Sequence, residues 1–231
     1  MRRIVLLVTT LALLPVAASA APINITTSGA TVYTTAITDF ATLGRDMAGM
    51  QVAISGGAPE SWADMLDGNY GVFFADGTKL YVGANEDTFA GDWTLFIPST
   101  SRGITSLFID GVPGQTTFDR TWSPYPGTPD SANGWDMSGF GNVPVNLDYQ
   151  NPLALGAGLP VGDEWVRMYL TFPDVTGGGL GLLGPGTYTF RQDSDNATTQ
   201  IVDNPVPEPT SMLLLGTGLV GLAARARRKR Q

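Results

Sequence analysis

Short apolar runs recur between residues 21 and 204, and polar turn sequences separate them. The turn sequences are rich in Gly, Asp and Asn, as in Asp67-Gly68-Asn69 and Asp76-Gly77. Runs of this length, rich in β-branched and aromatic residues and bounded by turn residues, are typical of strands. The pattern predicts ten strands, over residues 23–38, 50–54, 61–66, 70–75, 79–83, 88–97, 103–110, 116–122, 165–172 and 187–192.

Ten short strands with few helical segments favour an all-β fold. We expect a two-sheet antiparallel sandwich, jelly-roll-like or lectin-like, in preference to a barrel or an α/β fold. The composition agrees, because the 231 residues include 29 Gly and 16 Pro and only 15% are charged. Residues 123–141 break the pattern with closely spaced Pro and Gly, and we interpret them as a long surface loop suited to binding.

The first twenty residues have the three parts of a secretory signal peptide. Arg2 and Arg3 precede an apolar run from Ile4 to Leu14, and Ala18-Ser19-Ala20 is a small-residue cleavage site. The apolar run is too short to cross a hydrocarbon core of about 30 Å. We therefore predict a signal peptide over residues 1–20, cleavage after Ala20 and a β-sandwich domain over residues 21–204.

A three-part segment also ends the chain, over residues 205–231. Pro207, Glu208 and Pro209 are followed by an apolar run from Met212 to Ala224 and a basic cluster from Arg225 to Arg230. Motif, order and spacing resemble the PEP-CTERM protein-sorting signal of exported bacterial proteins. As a helix the apolar run is roughly 20 Å long, enough for a short transmembrane helix, and the basic tail is expected to stay cytoplasmic.

The resemblance carries functional implications beyond the residues themselves. It implies that an exosortase, a membrane-embedded protease, recognises and removes the C-terminal segment. It also implies a host that produces exopolysaccharide and forms biofilms. Before processing the protein is then anchored in the inner membrane, and afterwards it is at the cell surface or extracellular. The stretch 103–110 and others in the mature chain resemble one recurring type of PEP-CTERM exported protein, which implies architecture but no activity.

The residue inventory excludes several classes of chemistry. The chain has no Cys and no His, so thiol nucleophiles, disulfides, zinc fingers and Ser/His/Asp triads are ruled out. Residues 21–207 contain six basic and twenty acidic residues, a net charge of −14. We expect such a domain to repel nucleic acid and anionic membranes. With twenty acids, a carboxylate pair at glycosidase spacing arises by chance and is no evidence of catalysis.

Two sets of residues are candidates for ligand contact. Asp193, Asp195 and Asn196 place side-chain oxygens close together after a strand, an arrangement that suits Ca²⁺ as a cofactor, although the EF-hand pattern is absent. The alternative for this cluster is a solvated turn. Trp122, Tyr125 and Trp135 flank or occupy the predicted loop, where exposed aromatic rings can stack on sugars, whereas core packing is the alternative.

These observations support three hypotheses for function. The first is a non-catalytic protein of the cell surface or extracellular matrix, associated with exopolysaccharide. The second is a carbohydrate-binding module acting on that polysaccharide. The third is a carboxylate-based polysaccharide hydrolase, which only an analogy of fold supports. An exosortase is the expected processing partner in each case, and no catalytic residue is assigned.

Overall fold

The computed structural model describes residues 21–39, 41–120, 134–174 and 181–202, which form an almost purely β structure. Within these described ranges, two short 3₁₀ helices span Gly44–Met47 and Val112–Gly114. The strands are β1 (Ile23–Ser28), β2 (Val32–Thr34), β3 (Ile37–Asp39), β4 (Gln51–Ile54), β5 (Glu60–Ser61), β6 (Ala63–Asp64), β7 (Asn69–Phe73), β8 (Lys79–Gly83), β9 (Trp93–Ile97), β10 (Ser106–Asp110), β11 (Thr116–Asp119), β12 (Ser138–Gly139), β13 (Val145–Leu155), β14 (Pro160–Thr171), β15 (Gly186–Arg191) and β16 (Ser194–Ala197).

The strands form two sheets. The larger has ten strands in the order β3-β16-β11-β14-β10-β4-β5, with β13 pairing β14 and with β1 and β2 pairing β13. The smaller has six strands in the order β12-β15-β9-β8-β7-β6. The two longest strands, β13 and β14, pair with each other, and β10 and β11 pair with successive halves of β14.

One hydrophobic core takes residues from both sheets. The larger sheet contributes side chains such as Leu107 and Met168, and the smaller contributes Leu80 and Trp93, all fully buried. Aromatic rings concentrate at its centre, where Trp93 packs against Trp62, Phe118 and Phe190 at ring-centroid distances of 5.3, 6.5 and 5.8 Å. A second, smaller hydrophobic cluster includes the fully buried side chains of Leu153 and Val166.

The prediction of an all-β chain with two sheets is confirmed, and most strand pairs are antiparallel as expected, but the larger sheet also contains parallel pairs. β1 and β2 both pair with β13 in parallel, so the larger sheet is mixed. Long connections join these strands to β13, so no hairpin turn imposes an antiparallel direction. Over the ranges that are described, no helix has the length and apolar character needed to cross a membrane. The predicted signal peptide and the predicted C-terminal helix lie outside these ranges.

Candidate functional site

Three acidic residues from three adjacent strands meet at one face of the larger sheet. β11 lies between β14 and β16, with Asp119 opposite Glu164 and Thr117 opposite Asp195. Phe118 belongs to the main core, and side chains alternate along a strand, so Asp119 points away from that core. Carboxylate oxygens of Asp119, Glu164 and Asp195 lie within 4.8 Å of one another. These three residues are called the acidic cluster below.

The acidic cluster is sealed from solvent. The exposed fraction is 0% for Asp119 and Glu164 and 1% for Asp195. Asp163, which precedes Glu164, and Asp193, two residues before Asp195, are also buried. A carboxylate in such a place loses its hydration, and the loss must be offset by hydrogen bonds, a proton or a cation.

No basic side chain near the acidic cluster in sequence compensates its charge. Arg120 pairs with Asp136 at 2.9 Å, Arg167 with Asp110 at 3.1 Å and Arg191 with Asp92 at 2.9 Å. Among the described residues, no nitrogen or hydroxyl group donates a hydrogen bond to either carboxylate oxygen of Asp119. Within the described part of the chain, the buried Asp119 carboxylate is therefore left with neighbouring carboxyl groups as its hydrogen-bond partners.

The pKa values of the cluster respond to this environment. Burial raises the pKa of Asp119 to about 8; a hydrogen bond with Glu164 opposes the rise, and the charges of Asp195, Asp193 and Asp163 add to it. Burial and the Asp119 charge hold the pKa of Glu164 well above its ordinary value. A hydrogen bond between two carboxyl groups requires a proton on one of them. The cluster thus has to hold either a proton or a cation at neutral pH.

Asp193 lies beside the acidic cluster. Its carboxylate Oδ1 accepts a hydrogen bond from the Ser194 backbone N–H at 2.9 Å. Burial raises the pKa of Asp193 to about 6, the Ser194 hydrogen bond opposes the rise, and the charge of Asp87 adds to it. Asp193 therefore contributes negative potential to the same region.

A buried hydrogen-bond network holds the backbone that carries the acidic cluster. The side-chain Nε2 of Gln192 donates to the carbonyl oxygens of Asp119 and Asp193, at 2.7 and 2.8 Å. The Tyr149 hydroxyl donates to Gln192 Oε1 and accepts a hydrogen bond from the Met137 backbone N–H at 3.0 Å. Burial raises the pKa of Tyr149, so its hydroxyl stays protonated and remains a donor. The network joins β13 to the backbone on either side of the cluster.

Gly134 closes over the acidic cluster. A Cβ atom added to Gly134 would lie 2.5 Å from the Asp119 Cβ and 2.6 Å from its Oδ2. Such distances are far inside van der Waals contact, so only glycine fits there without a shift. The backbone at Gly134 thus helps to exclude water from the Asp119 carboxylate.

The three residues predicted to bind calcium through side-chain oxygens do not share one site in the structure. Asp195 is in the acidic cluster and Asp193 lies beside it, whereas Asn196 is half-buried, with its amide oxygen 3.5 Å from the Thr116 hydroxyl. Residues 194–197 form β16 rather than a turn, so Asp195 and Asn196 point to opposite sides of the sheet. Sequence reasoning missed Asp119 and Glu164, whose signal is an acid placed next to the strand aromatics Phe118 and Trp165.

Of the predicted aromatic contacts, Trp135 lies within the described residues. Its side chain is 51% exposed and packs against Phe89, itself 40% exposed, with 5.3 Å between ring centroids. Trp135 is therefore a surface residue and not part of the core. Trp122 and Tyr125 lie outside the described residues, as do Pro207, Glu208 and Pro209.

Comparison with protein families identifies one segment of the chain. The PEP-CTERM protein-sorting motif matches residues 205–229, which confirms the resemblance seen in the sequence. This motif marks an exported protein that is sorted by an exosortase through a membrane-anchored precursor. No curated protein and no solved structure matches the chain.

Proposed function

We propose that this chain is a non-catalytic protein of the cell surface or extracellular matrix, delivered by exosortase sorting and associated with exopolysaccharide. The observation that carries the proposal is the sorting motif at residues 205–229, which follows an all-β domain. The continuous hydrophobic core between the two sheets supports a structural role. The absence of Cys and His agrees with it, because the chain has neither a thiol nucleophile nor a histidine base.

Burial of the acidic cluster supports the non-catalytic part of the proposal. Glycoside hydrolysis needs one carboxyl group to protonate the glycosidic oxygen and a second to act on the opposite face of the sugar. Asp119 and Glu164 have the raised pKa values of candidate acids, but both are fully buried. A polysaccharide does not reach such groups, so their pKa values reflect burial rather than catalysis.

The precursor's path follows from its two ends. We propose cleavage after Ala20, a β-sandwich of jelly-roll or lectin type over residues 21–204, and a membrane helix from Met212 to Ala224. The basic residues Arg225–Arg230 hold the tail in the cytoplasm, because cationic flanks resist translocation. Pro207-Glu208-Pro209 then lies on the outer side, within reach of the exosortase.

Cell fractionation tests the proposed location, and a turnover assay tests the absence of catalysis. In its host, the processed protein is expected in the surface and exopolysaccharide fractions. Purified protein incubated with the host polysaccharide is expected to release no reducing ends above a protein-free control. Retention of the protein in the cytoplasm, or steady release of reducing sugar that scales with protein concentration, would contradict the proposal.

Carbohydrate binding is a second candidate function, and the exposed Trp135–Phe89 pair favours it. Neighbouring aromatic rings at a surface offer flat apolar faces on which sugar rings stack. Affinity electrophoresis in gels containing host polysaccharide tests this function. Trp135→Ala is expected to abolish the retardation, whereas Phe73→Ala, at an exposed aromatic residue beside Lys79, is expected to preserve it. Equal retardation of both variants and the wild type would remove Trp135 from consideration.

A further inference from the structure

We propose that Asp119, Glu164 and Asp195 bind one calcium ion that ties three strands of the larger sheet together. The residues come from β11, β14 and β16, which are neighbours in that sheet. The observation that points to a ligand is the Asp119 carboxylate, fully buried and, among the described residues, with no nitrogen or hydroxyl donor at either oxygen. A cation between the three carboxylates supplies the missing partner.

The spacing of the oxygens fits calcium. Carboxylate oxygens of the three residues lie within 4.8 Å of one another. Calcium–oxygen contacts of about 2.3–2.6 Å allow one ion to touch oxygens up to roughly 5 Å apart. Three carboxylates whose oxygens lie this close together can share one calcium ion.

The chemistry of the donors selects the cation. All three are hard carboxylate oxygens, and the chain has no Cys or His to favour zinc or copper. Magnesium keeps several of its waters and uses one or two carboxylates, whereas calcium accepts more carboxylates in flexible geometry. A dry site with three carboxylates accordingly favours calcium over magnesium.

The surrounding charge also favours a cation. Asp163 and Asp193 lie beside the cluster, and Arg120, Arg167 and Arg191 pair with other carboxylates. Gln192 fixes the carbonyls of Asp119 and Asp193 through its amide, which holds the Asp119 backbone in place. The site is thus preorganised, electronegative and closed, as a structural ion site requires.

Calcium titration of the full chain, purified in detergent and stripped with a chelator, tests the proposal. Isothermal titration is expected to give one calcium ion per chain. At calcium concentrations about 100-fold above the dissociation constant, the melting temperature is expected to rise by roughly 5–10 °C. Terbium substituted for calcium is expected to luminesce on tryptophan excitation, because Trp165 follows Glu164 in β14.

Near-isosteric variants locate the site. Asp119→Asn and Glu164→Gln each remove one charge and are expected to weaken calcium binding by roughly 100-fold or more, with loss of the thermal shift. Asp92→Asn, at an exposed ion pair with Arg191, makes the same charge change elsewhere and is expected to retain full calcium binding. Asp193→Asn tests whether Asp193 is itself a ligand. Because Asp193 lies outside the proposed ligand set, only a small loss of calcium affinity is expected.

Measurements on the wild-type protein test calcium binding even where a variant does not fold. Absence of binding heat, thermal shift and terbium luminescence with millimolar metal would show that the cluster holds protons and would overturn the proposal. Unchanged calcium affinity in a folded Asp119→Asn variant would overturn it as well. Binding of one calcium ion that is lost in Asp119→Asn and kept in Asp92→Asn supports it.

Discussion

Removing the Tyr149 hydroxyl is expected to destabilise the domain far more than the loss of one oxygen atom suggests. The Tyr149→Phe substitution keeps the ring among the core residues and deletes only the group that links Met137 to Gln192. Gln192 in turn holds the carbonyls of Asp119 and Asp193. The substitution therefore acts at the point where three separate segments of the chain are joined.

The expected magnitude follows from the groups left behind. Without the hydroxyl, the Met137 N–H and the Gln192 Oε1 lose their partner in an interior where Gln192 is fully buried and Met137 is 3% exposed. Each buried unpaired group costs about 1–3 kcal/mol, so for the two groups together we expect a loss of about 2–6 kcal/mol. Tyr188→Phe is the matched control, because that half-buried hydroxyl donates a hydrogen bond to the Gly184 carbonyl, four residues away in the chain. There we expect about 0.5–1.5 kcal/mol.

Urea unfolding followed by tryptophan fluorescence measures both losses. With a denaturant slope of about 2 kcal/mol per molar, Tyr149→Phe is expected to lower the midpoint by about 1–3 M urea at unchanged slope. If Tyr149→Phe costs no more than Tyr188→Phe, the Tyr149–Gln192 link does not hold these segments together and the reasoning is refuted.

Three further predictions concern the turn at Asp76, the contact at Gly134 and the autonomy of the domain. Partial burial raises the pKa of Asp76, but hydrogen bonds from Thr78 and Ser101 outweigh it and leave the pKa below its ordinary value. The ionised Asp76 carboxylate therefore stabilises the fold at pH values above its ordinary pKa, and this stabilisation is lost as the pH falls through the lowered pKa. The melting temperature of the wild type is expected to exceed that of Asp76→Asn at pH 7, and the difference is expected to shrink as the pH falls to 3. Gly134→Ala forces a Cβ against Asp119 and is expected to cost about 1–3 kcal/mol in urea unfolding. Gly184→Ala, where a Cβ has open space, is expected to be near neutral. Residues 21–204 produced alone are expected to give a β-type circular-dichroism spectrum with cooperative melting, which a helical spectrum would contradict.

The strands that sequence reasoning found are those with apolar runs and clear turns. The prediction for residues 79–83 matches β8, and residues 50–54 contain β4. β13 was missed, because its sequence contains Asn, Asp and Pro that resemble a loop. The strand β13 pairs with its neighbour β14 on one side and with β1 and β2, from the start of the domain, on the other, and this tertiary pairing overrides the local preference of its residues. Pairing between strands far apart in the chain leaves no mark in the local pattern.

The acidic cluster was only partly predictable for the same reason. Asp195 could be predicted as a metal ligand because Asp193 and Asn196 lie close to it in the sequence. Asp119 and Glu164 are isolated from it along the chain and join it only through the register of β11 with β14 and β16. The sorting signal is the opposite case, since motif, apolar run and basic tail are contiguous and need no fold to be recognised.

Intact-mass analysis of the exported protein tests whether an exosortase processes this chain. The protein is recovered from the surface and medium of its host and of a host lacking the exosortase. We expect the processed protein to begin at Ala21 and to lack the Arg225–Arg230 tail, whereas the exosortase-deficient host is expected to keep the tail on a membrane-bound precursor. A surface protein that retains the tail in the normal host would contradict exosortase processing of this chain.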